Sequence, residues 1–289
     1  MDSWRATRGR LVEIAGRLAR QRLAVPAFGF IFLVLLAAIF ADVVAPYDPL
    51  AQSPFEGLRG ASWDHPLGTD QLGRDVLSRL IFGSRIALMV GVGAVAFGAA
   101  VGMPLGLVAG YARGFADDAI MRCMDAIVAF PGLILALGLV AALGQSPTNL
   151  IVAIGIANVP WIARIVRAQV LSVRELDYVL AARGVGATHA RILRVHVFPN
   201  TLAPVIVQST LGMGYAVLTE AGLSFIGAGI APPTPTWGSM LQFGFGFLNR
   251  APMLSIVPGV AIFLLVLCFN LLGDILRDEL DPRLRGRIP

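Results

Sequence analysis

The chain has 289 residues, 56% hydrophobic and 14% charged, with a formal net charge of +5. Soluble domains are about 45–50% apolar and about 25% charged, so composition alone marks an integral membrane protein, and the positive charge reflects membrane topology, not nucleic-acid binding. All 23 basic residues are arginine; a chain without lysine has no Walker A phosphate loop and no Schiff-base lysine, which excludes P-loop ATP hydrolysis by this chain itself.

Residues 1–22 carry six arginines, with Trp4, Leu11, Ile14, Ala15 and Leu18 near helical spacing. The pattern predicts an amphipathic helix on the inner face of the bilayer; the long charged region and the absence of a cleavage pattern argue against a signal peptide. Leu23 to Val44 is the first predicted span, since about 20 apolar residues cross a hydrocarbon core of roughly 30 Å. Residues 47–84 form a long polar connection. In it Asp70 is placed to cap an interfacial helix with Leu72, Val76, Leu77, Leu80 and Ile81 on one face and Arg74, Asp75 and Arg79 on the other, Asp75 and Arg79 pairing at i,i+4.

The second span is read over Ile86–Tyr111. Gly98, Gly102, Gly106 and Gly110 recur at every fourth residue, a spacing that lets a neighbouring helix backbone approach closely; a substrate groove is the other reading. Pro104 is a candidate kink. The third span is read over Ala119–Leu143, with Asp125 and Pro131 inside it and Arg122 placed for a local ion pair with Asp125. The fourth runs over Leu150–Ile165, the fifth over Leu202–Ile230 and the sixth over Met253–Leu272, with a charged tail from Arg277 to Pro289. Six spans with both termini inside put 18 arginines on the inner side and 5 on the outer side, as the positive-inside rule requires.

Between spans four and five lies Arg174–Thr201, too polar for lipid and too well punctuated for a linker. Leu176–Arg183 predicts a short helix, ended by Gly184 and Gly186, which supply positive-φ or close-approach positions. Thr188 is placed to cap a second short helix, Ala190–Val197, that Pro199 stops, and Asn200 and Thr201 are available to cap the fifth span. The arrangement is that of a docking element.

The residues of this stretch carry a resemblance. Ala181, Ala182, Gly186 and Pro199, with their spacing, resemble the EAA loop of ABC importer permeases, and His196-Val197-Phe198-Pro199-Asn200 resembles the His-Ile-Leu-Pro-Asn of the dipeptide/oligopeptide/nickel branch. Leu180 stands where the motif has glutamate, with Glu175 and Asp177 within about a turn and a half. His65-Pro66-Leu67-Gly68-Thr69-Asp70 with Gly73 to Arg79, Ala129-Phe130-Pro131, Thr219 to Phe225, Pro233 to Gly238 and Phe269 to Arg283 extend the similarity over nearly the whole chain. It is similar to the second of the two permease types in such importers.

The resemblance implies an all-α membrane protein of six transmembrane helices with cytoplasmic termini, and a cytoplasmic coupling helix between helices four and five. The chain then divides into residues 1–46 (amphipathic helix and first span), 47–84 (outer connection), 85–275 (core with coupling loop 172–200) and 276–289 (tail). Tyr178, Leu180, Ala181, Ala182, Arg183, Gly186 and Ala187 are the implied docking residues for a separate ATPase subunit. The implied partners are a second permease, two ABC ATPases holding ATP and magnesium, an extracytoplasmic solute-binding protein and the bilayer. No cofactor is expected in this chain. Closure of the ATPases would swing the docking helix and reorient spans four and five, giving alternating access in the bacterial inner membrane.

Ionisable groups inside spans are functional candidates by default. Glu220, deep in span five by residue count, is placed either to line the pathway or to hold helices or subunits in register by hydrogen bonding; both readings stay open. Asn158, Gln208 and Asn270 are read as interhelical hydrogen-bond partners in preference to substrate ligands, with Asn158 and Gln208 kept as candidates to line the pathway. Cys123 and Cys268 fall in apolar segments and are read as small buried hydrophobes, and three histidines show no metal-ligand spacing. Two rival classes need features the chain lacks: a stand-alone secondary transporter an internal repeat, and a membrane enzyme a catalytic constellation.

Overall fold

A computed structural model describes residues 24–280, so the amphipathic segment expected over residues 1–22 and the last residues of the tail lie outside it. The described elements are helical, apart from one isolated β-bridge between Thr69 and Asp75. In chain order they are α1 (Ala24–Ile39, followed by a single turn Ala41–Val44), α2 (Val76–Ala112), α3 (Gly114–Val128), α4 (Gly132–Leu143), α5 (Pro147–Val173), α6 (Asp177–Gly184), α7 (His189–Phe225), α8 (Trp237–Phe245) and α9 (Met253–Leu280). Four of them, α2, α5, α7 and α9, are long and apolar enough to cross a membrane. The pair α3 and α4 makes a fifth crossing if the two are one span. At 1.5 Å per residue α1 covers about 24 Å, short of the roughly 30 Å core unless its following turn is added.

The predicted third span is not one straight helix: α3 and α4 meet at 87°. The break falls at Ala129-Phe130-Pro131, where proline withholds an N–H and disfavours helical backbone at the residue before it. Pro131 then becomes the N-cap of α4, its carbonyl accepting from Leu135 N–H.

The predicted interfacial helix and second span are instead one 37-residue helix that runs through Pro104. It starts at Val76 because Asp75, and not Asp70, caps it: the Asp75 carboxylate accepts from the backbone N–H and the hydroxyl of Ser78, both at 2.7 Å. Asp70 closes the preceding turn, accepting from the N–H of Leu72 and of Arg74. The expected Asp75–Arg79 pair is also replaced. Arg74 and Arg79 both turn to Asp70, at 2.6 and 3.6 Å, Arg79 donates to the Pro49 carbonyl, and Asp75 pairs with His65 at 2.9 Å. Asp70, Arg74, Asp75 and Arg79 are at most 7% exposed. Residues 45–75 therefore form a compact cap over the start of α2, not an extended polar connection.

Pro199 does not stop a helix either. Thr188 caps His189–Arg191 through a bond from Arg191 N–H, and the helix runs on to Phe225. A π-helical stretch, Ile192–Val197, precedes the proline and widens the turn that its ring would otherwise hit. Asn200 donates back to the His196 carbonyl at 2.6 Å instead of capping a new helix.

The packing centre is the α2–α5 pair. A Cβ placed on Gly98, Gly102, Gly106 or Gly110 would lie 3.0 Å from Asn158 Cβ, 2.8 Å from the Val159 carbonyl, 2.5 Å from the Ala163 carbonyl and 2.7 Å from Val170 Cβ. The stripe thus faces α5 along its length. Helix α3 is tied to α5 by two ion pairs, Asp117 with Arg167 at 2.6 Å and Asp125 with Arg164 at 2.7 Å. Asp125 thus reaches across to α5 and not to Arg122. Cys268 is buried, but Cys123 lies on the exposed side of α3.

Candidate functional site

Between α5 and α7 the chain leaves the bundle as an elbow built on α6. The helix stops in a Schellman arrangement: Gly186, at φ +82°, donates to the Arg183 carbonyl, and Ala187 N–H reaches back to Ala182. Of the two glycines only Gly186 takes the left-handed conformation; Gly184 closes the helix itself. Val179 is fully buried and packs in one cluster with Val170 and Val173 of α5 and Ile192 and Val197 of α7. The elbow is therefore a rigid projection anchored by one buried side chain, with both connections short.

Its outer surface carries exposed apolar side chains among the charged ones. Leu176, Tyr178 and Leu180 are each nearly half exposed and Val185 is 86% exposed. Ala181, Arg183 and Gly186 are exposed beside them, whereas Ala182 and Ala187 are half-buried. Tyr178 is steadied by Asn200, which donates to its hydroxyl at 3.3 Å, and its ring lies 6.0 Å from that of His196.

The elbow is also fastened to the end of α2. Arg174 donates through Nη1 to the carbonyls of Gly110 and Tyr111, at 3.2 and 3.0 Å. Glu175 accepts from Arg113 at 2.7 Å and lies 3.3 Å from Arg174 Nε. Beyond α6, His189 Nδ1 sits 2.7 Å from the Tyr111 hydroxyl.

Above the elbow, the break between α3 and α4 opens a cavity of about 430 Å³. Phe130, Pro131 and Gly132 of the break line it, with Asn158 and Trp161 of α5 and Gln208 and Tyr215 of α7. It has no ionised lining group. Two of the four polar candidates within spans, Asn158 and Gln208, thus meet at one place. The Asn158 amide bonds to the Ile154 carbonyl of its own helix at 3.0 Å, so the hydrogen bond is not interhelical as the sequence suggested. Glu220 does not line this cavity. It lies about a turn and a half from the end of α7, 1% exposed, accepting from Ser224 at 2.7 Å with the Thr236 hydroxyl as a second partner. It therefore ties α7 to the start of α8, whose N-cap is Thr236.

Sequence reasoning missed the buried ionic cap of Asp70, Arg74, Asp75 and Arg79, because an i,i+4 pattern of charges normally means a solvated helix face. The available signal was two aspartates flanking Gly73, each free to bond backbone N–H groups ahead of a helix. Among the described residues no three His, Cys, Asp or Glu side chains are grouped to hold a metal.

A family model described as binding-protein-dependent transport system inner membrane component matches residues 102–286. A second, for the N-terminal TM domain of oligopeptide transport permease C, matches residues 10–57. The glutathione transport system permease protein GsiD of Pectobacterium atrosepticum is 43% identical over 95% of this chain and 91% of its own length. The dipeptide transport system permease protein DppC of Alkalihalophilus pseudofirmus is 42% identical over 95% and 90%. Among solved structures, inward-facing MetNI methionine ABC transporter shares the fold with a TM-score of 0.57 at 20% identity, over 70% of this chain and 96% of that one. An amino acid ABC transporter with histidines has a TM-score of 0.54 at 20% identity, over 70% and 94%.

Proposed function

Because the chain belongs to the family of binding-protein-dependent transport system inner membrane components, we propose that it is the permease through which an ATP-driven importer of the bacterial inner membrane passes short peptides or peptide-like solutes. The substrate class is that of the relatives, which are named for glutathione and dipeptides. The neutral cavity with two amides and three aromatic rings suits such solutes, whose polar backbone needs hydrogen-bonding groups and whose side chains vary.

Six crossings are proposed: α1 with its following turn, α2, the bent pair α3–α4, α5, α7 and α9. This arrangement puts both termini and the elbow in the cytoplasm and the ionic cap outside, in line with the arginine count. The observation that carries the docking role is the elbow itself, one buried valine holding an exposed apolar knuckle between two spanning helices. Tyr178, Leu180, Ala181, Ala182, Arg183, Gly186 and Ala187 form or edge that knuckle. A hydrophobic surface of this kind on a polar projection fits a groove on a separate ATPase subunit. ATP and magnesium belong to that subunit, and this chain carries out no chemistry of its own.

The cavity at the helix break is read as this chain's share of the path, completed by a second permease and loaded by an external solute-binding protein. Nucleotide can drive the path from one side to the other only by favouring one arrangement over the other, and α6 is where that preference enters the chain. Pull-down of the ATPase subunits tests the reading. Gly186→Arg should abolish their recovery while leaving the permease at wild-type abundance in the membrane; recovery equal to wild type would refute docking through this knuckle. Uptake of labelled dipeptide and of glutathione by proteoliposomes of the assembled importer then separates the two named solute classes.

A further inference from the structure

The elbow could dock an ATPase and still transmit nothing, if it swung freely on its two connections. The structure shows what prevents that. Both connections of α6 converge on the turn that ends α2, Gly110–Arg113, Arg113 being its C-cap. Arg174, just before α6, donates to two of the last carbonyls of α2, which have no partners within the helix. A cation there also faces the negative end of the helix dipole. His189, just after α6, meets the Tyr111 side chain of the same turn. Glu175 closes the arrangement by bridging Arg174 and Arg113.

Arg113 has φ +59° and ψ −175°, a backbone conformation that residues other than glycine rarely adopt. It marks the sharp corner between α2 and α3, and its guanidinium is held by Glu175. Gly110, in the same turn, lies so close to α5 that an added Cβ would be 2.9 Å from the Arg167 carbonyl. The clamp is thus set where α2 and α5 are in close contact.

We infer that the Gly110–Arg113 turn and Arg174 form a clamp that locks the docking helix to the α2–α5 pair, so that displacement of α6 moves both helices as one body. Arg174 is a positioning residue: it touches neither the knuckle nor the cavity. Helix α2 spans about 55 Å from this turn to the ionic cap, so the clamp links the docking surface to the opposite face of the membrane. The mechanical coupling is carried by a chain of packed and hydrogen-bonded groups between two fixed ends. The inference rests on the docking role proposed above.

The test uses the full importer, this chain co-expressed with its second permease and its ATPase subunits. Ala157→Cys, in a Cys123→Ser and Cys268→Ser background, reports on the cavity that Ala157 lines. The probe is the rate at which a membrane-impermeant maleimide modifies it, with and without ATP and vanadate. Arg174→Ala should leave ATPase recovery and ATP hydrolysis intact while the nucleotide-dependent change in modification rate is lost. Arg174→Lys, which keeps a cation and donors, should restore part of it. Arg113→Glu and Glu175→Arg should each weaken the response, and the double exchange should recover it. An unchanged response in Arg174→Ala would overturn the clamp, as would a failure of the charge exchange to rescue. Loss of ATPase recovery in Arg174→Ala would overturn it too, by placing Arg174 in the docking contact. If the wild-type chain itself retained no ATPase, the docking reading would fall first and take the clamp with it.

Discussion

At Gly186 nothing lies within 4 Å of where a Cβ would stand, so the positive φ is the only constraint. Gly186→Ala should therefore cost about 1 kcal/mol of local stability from left-handed strain, and Gly186→Asn less. Amide exchange should quicken at Ala182–Val185 in the alanine variant and leave α5 unchanged. Asp75 is a different case, since its two oxygens serve a helix cap and a histidine. Asp75→Asn retains an acceptor for the Ser78 N–H, whereas Asp75→Ala loses the cap, at about 1 kcal/mol, and also removes the hydrogen-bond partner of His65 Nδ1. The melting temperature in detergent should fall further for alanine than for asparagine. Residue-level signals of this kind were partly legible. Gly186 and the Thr188 cap are local motifs that need only neighbouring backbone. The choice of Asp75 over Asp70 as cap was not, because both precede an apolar run and only the folded cap decides which aspartate is taken up by Arg74 and Arg79.

The glycine stripe of α2 allows a graded test of helix packing. A methyl on Gly106 would meet a carbonyl oxygen at 2.5 Å, whereas on Gly98 it would meet a side-chain carbon at 3.0 Å and on Gly138 of α4 nothing within 4 Å. Gly106→Ala should destabilise by about 1–3 kcal/mol, the range for overpacking. Gly98→Ala should cost less and Gly138→Ala should be neutral, when compared as melting temperatures of the purified chain. Opposite ordering would mean that the α2–α5 contact differs from the one described. The period-four spacing was plain in the sequence, but its partner was not: a stripe names the approach of a helix without naming which helix. The break at Phe130-Pro131 shows the same limit, since proline within an apolar run can kink a span or split it. Here two ion pairs hold α3 to Arg164 and Arg167 of α5, while beyond the break Ala136 and Val140 of α4 pack with Leu150, Ala153 and Ile154 nearer the start of α5.

For the molecule as a whole, the sidedness of the two ends is the property on which the rest depends. Val185 of the elbow and Trp63 of the ionic cap are both strongly exposed, at 86% and 102%. In intact spheroplasts lacking the native cysteines, an impermeant thiol reagent should modify Trp63→Cys and spare Val185→Cys until the membrane is lysed. Labelling of Val185→Cys from outside would invert the topology and remove the elbow from any cytoplasmic ATPase.

The sequence alone determined the class of molecule. Apolar runs of spanning length, arginines gathered into a few polar segments, the missing lysine and the turn residues of the elbow are all local or additive, and so survive without knowledge of which helix packs on which. Only the tertiary structure decided that the charges of residues 70–79 are buried, that Asn158 and Gln208 share a cavity while Glu220 stands apart, and that Arg174 reaches back to α2. Each of those depends on contacts between segments far apart in the chain, and a one-dimensional pattern carries the chemistry of such groups but not their partners.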